Sequence, residues 1–151
     1  MKIWIDADAS PRPIKDIVIK AALRLQIEVV LVANQYMQVL AHPLVRFVCV
    51  DKGMDVADLY IVEHLDANDL VITADIPLAD GVVDKGALAI NPRGEVYTAE
   101  SIKEKLSIRD FMTTIRDAGE ITGGPKPFSE KDKRQFAASL DRILSQKCRD
   151  R

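Results

Sequence analysis

Short apolar runs alternate with helix-like stretches through the first ninety residues, and that rhythm constrains this chain more than any other feature. Ile3 to Ile5, Val29 to Val32, Val45 to Val50, Leu70 to Thr73 and Leu88 to Ile90 read as strands, separated by helical patterns at Ile14 to Leu25, Val56 to Leu65 and Leu78 to Val83. Such βαβ alternation predicts an α/β fold with a mostly parallel central sheet and helices on both faces. From Thr98 onward only helix is expected, near 99 to 106, 108 to 117 and 129 to 146, with GGPKPF at 123 to 128 as the clearest loop.

With 151 residues and 48% apolar types, the chain suffices for one well-cored domain. A single unit over 1–151 is expected, its C-terminal part from about 99 being helical. No segment approaches the ~18 uninterrupted apolar residues of a membrane helix, and acid is reached at Asp6, so a cytoplasmic protein without membrane attachment is expected. Cys49 and Cys148 form no CxxC pair, and only His42 and His64 could assist them, which disfavours a disulfide framework or a zinc site.

Acids fall where the strands end. In IDADASP the strand runs into Asp6 and Asp8; in LVITADIPLAD a second strand runs into Asp75, with Asp80 about a helical turn further on. Between them, DKGMDVAD carries Asp55 and Asp58 at an expected helix start. Taken singly, each has a structural explanation. Ser10 before Pro11 suits a helix N-cap, and Asp55 with Asp58, like Ser129 with Asp132, has capping-box spacing. Right-handed crossovers, however, bring these strand ends to one edge of the sheet, where open α/β folds place their ligands.

Two carboxylates ~5 Å apart at an effective dielectric near 20 repel by about 3 kcal/mol, so a shared mouth must take up protons or bind a cation. All-oxygen donors suit Mg²⁺ or Mn²⁺, as one or two ions, with Asp6, Asp8, Asp55, Asp58, Asp75 and Asp80 as candidate ligands. Asp6, Asp75 and Asp80 are the expected catalytic set, and phosphodiester hydrolysis the leading reaction. Thr73, two residues before Asp75, is expected mainly to fill a strand position and otherwise to orient that carboxylate.

Taken together, IDADASP, DVAD, VITADIPLAD, the RDFMTTIR helix and the GGPKPF loop resemble the YaiI/YqxD-like bacterial family, which is related to PIN-like domains. The resemblance covers almost the whole chain. It implies a PIN-like three-layer α/β/α fold and a metal-dependent ribonuclease site at Asp6, Asp55 or Asp58, Asp75 and Asp80. One position departs from the family pattern, which usually reads Asp-Ala-Cys-Pro where this chain has Asp8-Ala9-Ser10-Pro11. Whatever a thiol does there passes to the Ser10 hydroxyl, expected here mainly as a cap and otherwise as a phosphate contact.

Substrate contacts are expected from Arg109 and Arg116, two turns apart on one helix face, whose planar forks suit phosphate when not spent on Asp110, Asp117 or Glu120. Gly123 and Gly124 permit a backbone shape that presents N–H groups to an anion, although a plain loop also explains them. Tyr36 suits a loop anchor or a base contact, and His64 a helix C-terminus. Net charge is −2, but residues 1–100 hold 9 Lys/Arg against 15 Asp/Glu while residues 126–151 hold 8 against 4, so a positive tail is available for RNA. Two alternatives remain open: a non-catalytic RNA- or protein-binding module, and a haloacid-dehalogenase-like phosphatase with Asp6 as nucleophile and Asp8 as general acid. The sequence leaves protein partners and homo-oligomers undecided.

Overall fold

Parallel pairing throughout the sheet is the first outcome of that rhythm. The computed structural model describes residues 1–53, 56–107 and 128–149. Along the chain lie β1 (Lys2–Asp6), a 3-10 turn (Ala7–Ala9), α1 (Arg12–Leu25), β2 (Glu28–Ala33), β3 (Val45–Cys49), α2 (Val56–His64), β4 (Leu70–Ile72), α3 (Ile76–Asp84) and β5 (Leu88–Ile90). Helical residues 99–107 form α4, and α5 spans Glu130–Arg149. Among the described residues the sheet has five strands in the order β3-β2-β1-β4-β5, every adjacent pair parallel.

Period-2 alternation divides the core into two layers of side chains. Ile3 and Ile5 of β1 pack with Ile14 and Val18 of α1 and with Phe136 and Leu140 of α5. Trp4 points the other way, into a cluster holding Ile61 of α2, Leu78 and Val82 of α3, and Ile102 of α4. The result is the expected three-layer α/β/α arrangement, with α1 and α5 on one face and α2, α3 and α4 on the other. No described helix is long and apolar enough to cross a membrane.

Topology fixes where a site can form. From β1 the chain moves through α1 to β2 on one side; from β4 it moves through α3 to β5 on the other. Neighbouring strands β1 and β4 therefore send their connections apart, which opens a crevice at their carboxyl ends.

Seating of α5 depends on the turn after β5. Gly94 has φ +93°, and a Cβ there would lie 2.7 Å from the Gln135 backbone, so only glycine admits so close an approach. Ser139 Oγ donates to Gly94 O at 2.7 Å, and fully buried Phe136 adds about 2–3 kcal/mol of apolar burial. The start of α5 carries the expected capping box: Asp132 Oδ2 accepts from Ser129 N at 3.0 Å while Asp132 N donates to Ser129 Oγ at 3.3 Å.

Ser10 does not cap α1, contrary to expectation. Pro11 takes the N-cap position with no side-chain cap, because the Ser10 hydroxyl turns back and donates to Asp6 O at 2.9 Å. The helix expected near 108 to 117 lies outside the described residues. Cys49 is exposed at the end of edge strand β3.

At the opposite, amino end of the sheet, Asp69 is 2% exposed and holds three donors. Its Oδ1 accepts from Lys2 N at 2.9 Å, and its Oδ2 accepts from Trp4 Nε1 at 3.0 Å and from Asp66 N at 2.9 Å. One carboxylate thus staples β1 to the turn that starts β4. Asp69→Ala strands these donors and is expected to lower stability by about 3 kcal/mol in urea unfolding, with Asp69→Asn losing less because one acceptor remains. A loss below about 0.5 kcal/mol for the alanine variant contradicts this account.

Candidate functional site at the ends of β1 and β4

Asp6 is the last residue of β1, flanked by β2 and β4, and is only 5% exposed. The following 3-10 turn is short because Pro11 stops it, and the turn is tied down twice. Ser10 Oγ donates to Asp6 O, and Lys15 Nζ donates to Ala7 O at 3.2 Å. Asp8 leaves this turn exposed, and its Oδ2 accepts from Asn34 N at 2.8 Å, just past β2.

Thr73 follows β4 and continues its ladder, with Thr73 N donating to Ile90 O at 3.0 Å. Its hydroxyl does more than fill a strand position, the main role expected from sequence. Oγ1 donates to Asp6 Oδ2 at 2.9 Å and accepts from Asp75 N at 3.0 Å. A threonine two residues ahead of an acid at a strand-to-helix step was the available signal, since such hydroxyls commonly bond nearby backbone. Asp75 then caps α3, its Oδ1 accepting from Leu78 N at 2.9 Å.

One oxygen of each of these three carboxylates is hydrogen-bonded: Asp6 Oδ2 to Thr73, Asp8 Oδ2 to Asn34 and Asp75 Oδ1 to Leu78. Asp6 Oδ1 takes no hydrogen bond from a described residue. Because no buried side-chain oxygen among the described residues lacks a partner, Oδ1 must reach solvent at the mouth. Burial holds the Asp6 carboxyl above its ordinary range; the Thr73 hydrogen bond opposes this, and the charges of Asp75 and Asp8 push the same way as burial. Asp6 therefore feels the charge of both neighbouring acids.

Beside Asp75 lies a hollow of about 310 Å³ bordered by Ala74, Asn91, Arg93 and Tyr97. Burial raises the Tyr97 hydroxyl's pKa; a hydrogen bond with Asn91 lowers it, while Glu95 and Asp75 add to the rise. Sequence reading did not single out Tyr97.

Asp80 is exposed on α3 and makes no hydrogen bond or ion pair with a described residue, and Asp58 is half-buried in the first turn of α2. Asp55, Arg109, Arg116, Gly123 and Gly124 lie outside the described residues. Among the described residues no group of three or more His, Cys, Asp or Glu side chains is gathered tightly enough to hold a metal ion. His64 does close its helix, with Nδ1 at 2.8 Å from Tyr60 O and its ring stacked on Tyr60. Tyr36 is 82% exposed rather than an anchored loop residue, meeting Phe47 only edge-on.

Asp6 should leave a pH signature. Unfolded, it titrates near 3.8; folded, it keeps its proton to higher pH. Between those points the folded state binds more protons, so stability falls as pH rises, and ionised Asp6 opposes folding at neutral pH. Asp6→Asn keeps an oxygen for Thr73 but removes that charge. It is expected to raise Tm at neutral pH in the presence of a chelator, the gain vanishing on acidification toward 3.8. Calorimetry across that range checks this, and a variant less stable than wild type at neutral pH contradicts it.

Comparison with known proteins gives matches over nearly the whole chain. The family model described as "Uncharacterized BCR, YaiI/YqxD family" matches residues 4–146. A UPF0178 protein of Shewanella sp. (strain MR-7) is 56% identical over 143 residues, 95% of this chain and 94% of its own. A UPF0178 protein of Colwellia psychrerythraea (strain 34H) is 53% identical over 146 residues, 97% of each chain. Another, of Marinomonas sp. (strain MWYL1), is 53% identical over 147 residues, 97% of this chain and 99% of its own. No solved structure matches significantly.

Proposed function

We propose that this chain, which belongs to the YaiI/YqxD family, is a divalent-cation-dependent hydrolase of RNA phosphodiesters. The observation that carries the reading is the trio of Asp6, Asp8 and Asp75 at the carboxyl ends of β1 and β4, with Asp6 buried, repelled by the other two, and open to solvent through Oδ1.

The donor set fits a hard cation. All the candidate ligand atoms are carboxylate oxygens, and Mg²⁺ commonly binds through one or two carboxylates while water completes its octahedron. Among the described residues no three such side chains are gathered tightly enough to hold an ion by themselves, so water would have to supply most of its shell. Asp6 and Asp75 would hold the ion directly, Asp8 through its unbonded oxygen or a water, and Asp55 from outside the described residues. When bound, Mg²⁺ or Mn²⁺ supplies a Lewis acid for a phosphoryl oxygen and a more acidic water.

The chain's own groups do the rest. Thr73 fixes the rotamer of Asp6 and, through Asp75 N, the start of α3, so the two carboxylates keep their relation as substrate arrives. Asp6, Asp8 and Asp75 present negative charge that only a neutralised mouth can bring close to a phosphodiester. Positive charge for the polyanion lies along α1 and α5, where Arg12, Lys20 and Lys133 border a hollow of about 290 Å³.

Purified protein is expected to cleave single-stranded RNA only with Mn²⁺ or Mg²⁺ present. Asp6→Asn and Asp75→Asn should abolish cleavage; asparagine still caps a helix, so the second change removes charge rather than the start of α3. Thr73→Val is expected to cost about 10–100-fold in metal affinity or rate with the fold retained. Cleavage that persists in both Asp variants, or a wild type inactive with either metal, overturns the reading. A phosphoryl group trapped on Asp6 would instead favour the phosphatase alternative.

A further inference from the structure

On the β2 side of the mouth, the chain between β2 and β3 folds over the start of α1 and leaves a groove of about 620 Å³. Its lining is two-natured. Ile19, Leu31, Met37, Val39 and Leu40 make it apolar, and Arg12 and Lys15 bring positive charge, with Asp16 and Gln38 completing it. Leu40 is 51% exposed, so the apolar part is uncovered.

Neither cation is spent on an ion pair among the described residues, although Asp16 lines the same groove. Lys15 is half-buried, and its Nζ meets only Ala7 O at 3.2 Å and Met37 Sδ at 3.8 Å; neither Lys15 nor Arg12 forms an ion pair with a described residue. Ala7 is the residue between Asp6 and Asp8, and Asn34, which donates to Asp8, begins the loop that leads to Met37. Groove and acids therefore share an edge. Lys15 stands between them.

We propose that this groove is a nucleotide subsite: it takes a nucleobase against Met37, Val39 and Leu40, with the attached phosphate at Arg12 and Lys15. A base offers flat apolar faces to a thioether and branched carbons, while its phosphate matches two cations that form no ion pair among the described residues. The volume falls in the range of small-molecule sites, about 300–1,000 Å³. A free inorganic anion would leave the apolar lining unused, and a purely apolar ligand would leave the cations unmatched. This subsite rests on the phosphodiester reading for its role, since it would seat the nucleotide next to the bond to be cleaved, but its occupancy can be tested without turnover.

The test is a ¹⁵N chemical-shift titration of wild-type protein, with a chelator present, using adenosine and uridine 5′-monophosphates, ribose 5-phosphate and inorganic phosphate. A nucleotide is expected to shift amides of Lys15–Ile19 and Met37–Leu40 and to bind about tenfold or more tighter than ribose 5-phosphate. Arg12→Ser and Lys15→Gln should each weaken nucleotide binding about tenfold. Exposed Leu40, changed to Asp, should erase the advantage of the nucleotide over ribose 5-phosphate in a folded protein. Equal binding of nucleotide and ribose 5-phosphate, shifts centred elsewhere, or variants without effect overturn the subsite. Nucleotide binding without any RNA cleavage upholds the subsite and sinks the nuclease; cleavage with no nucleotide response in the groove does the reverse.

Discussion

A single hydroxyl holds the site together. Thr73 Oγ1 donates to a buried carboxylate on β1 and accepts from the backbone of the residue that caps α3, so two strand ends far apart in sequence share one fixed contact. Asp6 would otherwise sit in low-dielectric surroundings beside two other acids with little to favour its charged form. The threonine offsets part of that cost while leaving Oδ1 open, and an ion or proton must supply the remainder.

Topology explains why this contact exists where it does. Parallel strands place their carboxyl ends on one edge, and β1 and β4 are the neighbours whose outgoing connections diverge. The acids are thus brought together by sheet order, while the 3-10 turn and the α3 cap aim them. Asp69 fastens β1 to the turn before β4 at the other edge, so the two strands carrying the site are pinned at both ends.

Much of this was legible in the residues. The period-2 runs and their helical spacers specify the parallel sheet, and acids at strand ends mark the site edge, because both follow from local pattern and a handedness rule. What pattern could not resolve was which neighbour each polar side chain chooses. Ser10 had cap spacing but bonds Asp6 O; Thr73 looked like strand filling but bridges two acids. Asp75 caps α3 while Asp80 stands exposed further along the same helix, a difference in surroundings that spacing alone does not give. Tyr36 pointed to the loop that follows β2, but its meeting with Lys15 depends on how 34–44 folds over α1, which no short motif encodes.

Anomalous diffraction from crystals soaked in Mn²⁺ tests the central claim most directly. The account predicts a peak at the carboxyl ends of β1 and β4, in contact with Asp6 and Asp75, which disappears in Asp6→Asn. Manganese bound only elsewhere on the molecule, or none at the strand ends in crystals soaked well above millimolar concentration, would contradict it.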